Sequence, residues 1–299
     1  MLKSTLSATL ALALGLGLSA AAHANCPTGW TSKEAGKAVR LCQKGNLFVQ
    51  RVDLSAGARV RLAYQFTSGA GSQSNPNPPF QGRDILEWWS YVTANSGNNV
   101  VAKPAGRLFS VVSGSFFVKD YWGNPIQRPA YPVKNRGSLL SIGNDSGAGS
   151  PLREFRMNDS DASIVYLAQN PQDWNRTHSA LGPFTSVVGL HPGDGSNGDT
   201  ESVGRSYVGL RDNNRDGKFE WVMFLSSNKA TKAEVYAALT TDFGSTVNIQ
   251  FDGSGTAQLA TRNAQSPTQP VEYVKSSDPN LPGFGRRNFP VAFVVYEAP

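Results

Sequence analysis

The chain has 299 residues, and 28 lysines and arginines against 22 aspartates and glutamates give it a formal net charge of +6. This mild basic excess favours anionic partners only weakly, and no Lys/Arg run interleaves with aromatic residues, so the sequence argues against nucleic-acid binding. It contains no His-Glu-x-x-His, Walker or Gly-x-Ser-x-Gly motif, which argues against a zinc peptidase, a P-loop enzyme and an α/β-hydrolase.

The first 24 residues have the pattern of a signal peptide. Lys3 lies in a short basic start, an apolar stretch follows from about Leu6 to Leu18, and Ala22-His23-Ala24 precedes Asn25. The stretch is too short for a transmembrane helix, and no later stretch reaches the roughly 20 consecutive apolar residues that one needs. We therefore expect no transmembrane segment and a mature protein that starts near Asn25 and is exported, either to the periplasm or out of the cell.

Cys26 and Cys42 are the only cysteines. In an oxidising compartment, two thiols 16 residues apart predict one disulfide that pins the mature N-terminus. A metal-binding pair or a redox couple is the alternative, but neither a Cys-x-x-Cys spacing nor a nearby histidine supports it.

The rest of the chain alternates between short β-rich runs and long loops rich in glycine and proline. Their β-branched and apolar content predicts strands at Leu47–Leu54, Arg59–Phe66, Leu108–Val118, Ala162–Leu167, Ser206–Arg211, Phe219–Leu225, Val247–Phe251 and Val291–Tyr296. The longest loops are expected at Thr67–Gln81, Gly143–Pro151, Pro192–Gly204 and Asn263–Gly285.

Two helices are expected among these strands. Leu86, Trp89 and Val92 have helical spacing within Arg83–Ala94. Farther along the chain, Thr231 and Glu234 have the spacing of a capping box at a helix start. An apolar stripe at helical spacing follows, formed by Val235, Leu239 and Phe243, and Gly244 is a natural helix end.

The pattern predicts an α+β fold with a mixed or antiparallel sheet core, a few helices and long loops. We expect a disulfide-pinned segment at residues 25–46 and one elaborated domain at residues 47–299, because no linker divides the chain.

Asp252 lies where the last of these helices delivers the chain into a strand and the strand ends. Val247–Phe251 is apolar, and Gly253 and Gly255 follow the carboxylate. A strand end fixes a carboxylate, while glycines let backbone N–H groups turn toward a ligand. The alternative is an ordinary Asp-Gly hairpin turn.

Two further segments have similar features. Leu108–Val112 runs into Ser113-Gly114-Ser115-Phe116-Phe117, where small residues stand beside two aromatic anchors. Arg205-Ser206 opens a hairpin that leads to the capped helix, although Arg205 by itself would more often be a surface charge at a strand edge.

In order and spacing these segments resemble the phosphodiester glycosidase family. The family pattern runs Asn-Gly-Gly-Phe-Phe, Gly-Gly-Pro, Arg-Thr with a hydrophobic hairpin, a helix, a strand and Asp-Gly-Gly-Gly-Ser. The matching stretches are Ser113–Phe117, Val188–Pro192, Arg205–Ser206, Asp252–Thr256 and Gly285–Pro290 before the last strand. The chain is thus similar to a divergent secreted member, with Ser113, Ser115, Ser206 and Ser254 in place of the family's Asn, Gly, Thr and Gly.

The resemblance implies a hydrolase of sugar-1-phosphodiesters that needs no cofactor. Asp252 and Arg205 are the catalytic candidates. The candidates for substrate binding are Ser113, Gly114, Ser115, Phe116, Phe117, His191, Ser206, Gly253, Ser254, Gly255, Thr256 and Arg287. His191 has the alternative of a plain loop residue, and Arg286 and Arg287 have the alternative of solvating the final strand. Asp120 and Glu154 are candidates for a second carboxylate, but we expect both at the surface.

A phosphomonoester leaves more readily than an alcohol. Its second pKa is about 6, so it departs as an anion that a guanidinium can neutralise. One carboxylate and one arginine could therefore replace the two carboxylates of ordinary glycosidases. Arg205 would neutralise the phosphate, Asp252 would activate water or stabilise the oxocarbenium ion, and backbone near Gly114 and Gly253 would bind ligand oxygens.

A separate motif suggests calcium. Asp212, Asn214 and Asp216 alternate before Gly217, as in the first half of an EF-hand loop, but Met223 occupies the twelfth position, where the bidentate glutamate belongs. A polar hairpin turn explains the same residues, and a structural calcium ion is the alternative.

Two other functions compete with a hydrolase of glycan or envelope polysaccharide phosphodiesters. One is a noncatalytic glycan-binding or envelope-associated protein on the same fold, and the other is a host-interaction or matrix factor, suggested by secretion alone. The sugar, the aglycone and the oligomeric state have no sequence signal.

Overall fold

A computed structural model of the chain describes residues 25–69, 75–94, 106–118, 126–143, 151–167, 184–193, 200–263, 265–266, 269–275 and 287–299. The predicted signal peptide, Asp120 and Arg286 lie outside these residues.

Within this part of the chain, nineteen strands form three sheets. In chain order they are β1 Thr31–Gly36, β2 Val39–Lys44, β3 Leu47–Asp53, β4 Arg59–Tyr64, β5 Phe80–Gln81, β6 Leu108–Ser113, β7 Phe117–Val118, β8 Ile126–Pro129, β9 Val133–Asn135, β10 Ser138–Ser141, β11 Leu152–Met157, β12 Ala162–Leu167, β13 Thr185–Leu190, β14 Val203–Arg211, β15 Trp221–Ala230, β16 Val247–Phe251, β17 Leu259–Thr261, β18 Val271–Val274 and β19 Val291–Tyr296.

The main sheet has eleven strands, ordered β1-β2-β3-β15-β14-β16-β13-β11-β12, with β9 paired to β13 and β10 to β9. A second sheet is ordered β18-β17-β6-β19-β4, and a small third one β5-β8-β7. The described strand pairs are all antiparallel, as in sheets built from hairpins and long returns.

The main and second sheets pack face to face around Phe293. Its ring centroid lies 5.1 Å from Phe224, 5.4 Å from Phe251 and 5.8 Å from Phe155, all three of which belong to the main sheet. Such aromatic packing buries large apolar area in the core between the sheets. The core alternates along β19: Val291, Phe293 and Val295 face the main sheet, while Ala292, Val294 and Tyr296 face the first helix.

Helix α1, Ile85–Ala94, covers the outer face of the second sheet. It begins at Ile85 rather than at the predicted Arg83, because Asp84 caps it: the Asp84 carboxylate accepts from the N–H groups of Leu86 and Glu87, both at 2.8 Å. Glu87 in turn accepts from the Asp84 N–H at 2.9 Å, which completes a capping box.

Helix α2, Lys232–Ala237, covers the outer face of the main sheet. The predicted capping box of Thr231 and Glu234 is present, and its hydrogen bonds lower the pKa of Glu234. A π-helical turn, Ala238–Asp242, continues the helix, and Gly244 follows it with φ of +70°. The predicted stripe packs into one cluster with Met223 of β15: it consists of Val235, Leu239 and Phe243.

The predicted α+β class is wrong, because the fold is predominantly β. The eight predicted strand segments correspond to nine of the strands, and ten others were not predicted. Several of these carry charge where apolar residues were expected. Strand β11 reads Leu-Arg-Glu-Phe-Arg-Met, with Leu152, Phe155 and Met157 buried, and β1 is a largely exposed edge strand.

The N-terminal region confirms the predicted disulfide. Cys26 and Cys42 are bonded, with their Cα atoms 5.8 Å apart, and both lie against the cluster under α2. Trp30 packs edge-on against Phe243 and donates its indole N–H to Asp242 at 2.9 Å. The disulfide is compatible with an exported protein.

Among the described helices, neither has the length and apolar character needed to cross a membrane.

Candidate functional site

Asp252 stands at the end of a strand that neighbours fix on both sides. Strand β16 pairs with β14 over five residues, from Leu210 opposite Val247 to Ser206 opposite Phe251, and with β13 at Leu190. Phe251 is buried against Phe293, while Asp252 is partly exposed. The carboxylate therefore lies at a rigid strand end next to solvent.

The turn after Asp252 packs directly on the start of β14. A Cβ added at Gly253 would lie 2.5 Å from the Gly204 carbonyl oxygen and 3.5 Å from the Arg205 Cα, so only glycine fits there without a shift. Thr256 closes the turn: its N–H donates to the Gly253 carbonyl oxygen at 3.1 Å, and its hydroxyl donates to the same atom. Ser254–Thr256 forms a single 3-10 turn in which Gly255 and Thr256 are buried.

Arg205 is buried rather than exposed. Its relative exposure is 2%, Nε donates to the Ala230 carbonyl oxygen at 3.1 Å, and Nη2 donates to the Glu201 carbonyl oxygen at 2.9 Å. These bonds hold the guanidinium at the end of the hairpin where β14 begins and β15 ends. The structure thus brings the backbone of Arg205 against the Asp252 turn and holds its charge in place.

Gln258, which the sequence did not single out, ties three segments of the site together. Its N–H donates to the Ser113 hydroxyl at 3.2 Å, and its carbonyl oxygen accepts from the Ser113 N–H at 3.0 Å. Its fully buried side chain donates from Nε2 to the Arg287 carbonyl oxygen at 2.6 Å and accepts from the Ile85 N–H at 3.2 Å. The only sequence signal was its place just after the glycine turn, in front of a short strand.

The Ser113 segment follows β6 at the end where β17 begins. Gly114 passes so close to β19 that a Cβ there would lie 2.4 Å from the Val291 carbonyl oxygen. Ser115 is 2% exposed, and its hydroxyl oxygen has no hydrogen-bond partner among the described residues. A buried hydroxyl without a partner is unusual in a folded protein and calls for an explanation.

The two phenylalanines of this segment point into different clusters. Phe116 packs edge-on against Tyr131, with centroids 5.5 Å apart, whereas Phe117 packs against the α1 cluster. Phe117 also pairs with Pro129 across β7 and β8. Both side chains anchor the segment.

The remaining candidates are positioned as follows. Ser206 is buried between Ser226 and Phe251 in the sheet, and Arg287 is partly exposed with its carbonyl bonded to Gln258. His191 follows β13, donates its N–H to the Pro151 carbonyl oxygen at 2.8 Å and accepts from the Gly193 N–H at Nδ1, at 3.0 Å.

Glu154 is not a surface carboxylate as expected. It is buried in β11, between β12 and β13, where it accepts from Arg156 Nε at 2.7 Å. Lys134 lies near it. Burial lowers the pKa of Lys134 below its usual value, and the negative charge of Glu154 offsets part of this effect. An interior strand position explains the burial.

The predicted calcium loop is the turn between β14 and β15. Asp212 accepts from the N–H groups of Arg215 at 2.6 Å and Gly217 at 2.9 Å, and Asp216 accepts from the Lys218 N–H at 2.9 Å. Asp212, Asp216 and Glu220 each place an oxygen within 4.8 Å of the other two. Glu220 was missing from the sequence-based ligand set.

Two cavities lined by described residues contain none of the predicted site residues. One, of about 450 Å³, lies beside Arg61. The Nη2 atom of Arg61 contacts Asp159 at 2.6 Å, and burial lowers the pKa of Arg61. The other, of about 470 Å³, lies along α1. Neither combines a carboxylate with the glycine-rich backbone of the Asp252 turn.

Comparison with known proteins finds a distant likeness in fold. No protein-family model and no curated protein matches the chain. Among solved structures, the catalytic domain of zebrafish N-acetylglucosamine-1-phosphodiester alpha-N-acetylglucosaminidase, auto-inhibited by its pro-peptide, matches with a TM-score of 0.51 and 13% identity, over 90% of this chain and 81% of that one. A predicted exported protein from Burkholderia pseudomallei matches with a TM-score of 0.51 and 12% identity, over 88% of this chain and 75% of that one.

These matches establish a distant likeness in fold. It extends over most of the chain, and it is consistent with the resemblance suggested by the order of the sequence motifs.

Proposed function

We propose that the protein is a hydrolase of a glycosidic phosphodiester in a glycan or envelope polysaccharide, with its site at the Asp252 turn. The observation that carries this proposal is the seating of Gly253 on Gly204 and Arg205, with Gln258 joining the same turn to Ser113 and Arg287. The likeness in fold to the catalytic domain of a phosphodiester glycosidase supports it.

In this proposal Asp252 carries the chemistry at the anomeric carbon. A partly exposed carboxylate on a strand end is held still and is open to water. It either activates the attacking water or stabilises the positive charge that develops on the sugar ring. The departing phosphate leaves as an anion, so no second carboxylate is needed to protonate it.

In this proposal Arg205 supplies the positive charge. Because its guanidinium is fixed by the carbonyls of Ala230 and Glu201, its charge is preorganised and costs no rearrangement when the phosphate develops negative charge. Arg287, on the partly exposed side, is the second cation for the same anion. The Ser115 hydroxyl is a candidate donor to a sugar or phosphate oxygen.

A noncatalytic glycan-binding protein on this fold is the second candidate. The observations that favour it are the burial of Arg205 against two carbonyls and the Ser113 hydroxyl, which already accepts from Gln258. In both cases the side chain already uses hydrogen-bonding capacity within the protein, which leaves less for a substrate.

Incubating residues 25–299 with a panel of sugar-1-phosphodiesters, beside Asp252→Asn, separates the two functions. Release of free sugar and phosphomonoester by the wild type, lost in the variant, supports the hydrolase. Binding measured by calorimetry, with no product from any member of the panel, supports the glycan-binding protein and contradicts the hydrolase.

A further inference from the structure

A buried carboxylate oxygen lies beneath the loop between β14 and β15. Glu220 is 4% exposed, and its Oε1 accepts from the N–H groups of Asn213 at 3.1 Å and Asn214 at 3.0 Å. Its Oε2 is buried and has no hydrogen-bond partner among the described residues. A charged oxygen in such a place is costly unless a cation or a proton joins it.

Two more carboxylates lie close to Glu220. One oxygen each from Asp212, Asp216 and Glu220 lies within 4.8 Å of the other two. Ligands of one calcium ion, each at 2.3–2.6 Å from it, are at most about 5 Å apart. The three oxygens are therefore close enough to share one ion.

We propose that this loop binds one calcium ion, with Glu220 as its buried ligand. Asp212, Asn214 and Asp216 occupy the first, third and fifth positions, Gly217 the sixth with φ of +88°, and the Lys218 carbonyl the seventh. Glu220 stands at the ninth position and brings its carboxylate into the cluster, so the glutamate missing at the twelfth position is replaced from within the loop.

Calcium fits this ligand set better than other metals do. All the side-chain donors are hard oxygens, and no histidine or cysteine joins the described cluster, which argues against zinc. Magnesium demands near-ideal octahedral geometry at shorter distances, whereas an irregular loop of carboxylates, amide and carbonyl suits calcium.

The ion would stabilise the central hairpin rather than take part in a reaction. The Glu220 carbonyl oxygen accepts from the Leu54 N–H at 2.9 Å, and the next residue, Trp221, pairs with Asp53 and donates its indole N–H to that carboxylate at 3.1 Å. Bound calcium would thus stabilise the contacts of the loop with β15 and with Asp53 and Leu54 at the end of β3. This inference does not depend on the proposed hydrolase activity.

The test is calcium titration of residues 25–299 after removal of metal with EDTA, followed by calorimetry and thermal unfolding. We expect one site with Kd between about 10⁻⁵ and 10⁻³ M. Free calcium at about 100 times Kd should raise Tm by roughly 5 °C. Magnesium at the same concentration should give a much smaller shift.

Glu220→Gln is the decisive variant because it keeps the Oε1 acceptor for Asn213 and Asn214 and replaces Oε2 by an amide that cannot bind a cation. Its Tm should equal or exceed that of the wild type in EDTA and fall below it in calcium. Asp216→Asn, on the exposed side, should weaken binding at least tenfold, and Lys218→Gln, which leaves the ligand oxygens in place, should not. No calcium heat and no Tm shift in the wild type, or equal shifts in wild type and Glu220→Gln, would overturn the proposal.

Discussion

The carbonyl oxygen of Gly204 lies so close to Gly253 that a Cβ on Gly253 would stand 2.5 Å from it. This contact joins the turn after Asp252 to the strand that carries Arg205, although Gly204 and Gly253 are 49 residues apart in the chain. The catalytic candidates therefore depend on a glycine that does no chemistry itself.

Gly253→Ala should displace the Asp252 turn. The new Cβ would clash with a backbone carbonyl oxygen, which cannot move aside as the end of a side chain can. The free energy of unfolding should therefore fall by about 1–3 kcal/mol and the rate of hydrolysis by at least tenfold. Urea denaturation and kcat/KM measure the two effects. Gly193→Ala is the control, because among the described residues its Cβ would meet the His191 side chain, at 3.3 Å, and no backbone. A Gly253→Ala protein with wild-type stability and rate contradicts the close packing.

Gln258→Leu should weaken the site by leaving the Ile85 N–H and the Arg287 carbonyl without their side-chain partner. Burying two such groups unpaired costs about 2–4 kcal/mol in the free energy of unfolding. Gln43→Leu is the matched control, since the partly exposed Gln43 side chain donates to the Gly45 carbonyl oxygen two residues away, and its effect should stay within about 0.5 kcal/mol. Equal effects of the two variants would show that Gln258 does not tie the segments together.

Two substitutions of Arg205 separate the effect of its charge from the effect of its packing. Arg205→Met removes the cation and leaves the carbonyls of Ala230 and Glu201 without its hydrogen bonds, so stability should fall by about 2–4 kcal/mol and kcat/KM by at least a hundredfold. Arg205→Lys keeps the charge and should retain more activity than Arg205→Met. Circular dichroism first confirms that each variant is folded. Undiminished hydrolysis by folded Arg205→Met would remove Arg205 from the mechanism.

The Cys26–Cys42 disulfide should contribute about 3 kcal/mol to the free energy of unfolding, because it closes a loop of 16 residues in the unfolded chain. Denaturation with and without dithiothreitol measures this contribution. The Cys26→Ser/Cys42→Ser double variant should match the reduced wild type and should not respond to the reductant. A wild type that dithiothreitol leaves unchanged would contradict the contribution.

The sequence predicted those parts of the fold whose signal is local. Ala162–Leu167, Val247–Phe251 and Val291–Tyr296 are strands with the predicted bounds, and Thr231 caps its helix as expected. The fold class was wrong because strands such as β11 and β1 owe their conformation to neighbours in a wide sheet, and their charged residues hide the pattern.

The sequence could name the segments of the candidate site, but it could not predict the contacts between them. Glycine after Asp252 signalled a turn, yet its contact with Gly204 depends on how β14 and β16 pair. Gln258 and Glu220 were missed for the same reason: each is a single polar residue whose role comes from contacts across the fold. The burial of Arg205 likewise follows from the sheet rather than from its own sequence surroundings.

The catalytic role of Asp252 is tested most sharply by kcat/KM of Asp252→Asn on the best sugar-1-phosphodiester of the panel, compared with the wild type at equal folded concentration. The substitution keeps the size of the side chain and removes its charge, so we expect a loss of at least a thousandfold, about 4 kcal/mol, with little change in Tm. Hydrolysis by Asp252→Asn within tenfold of the wild type would contradict that role.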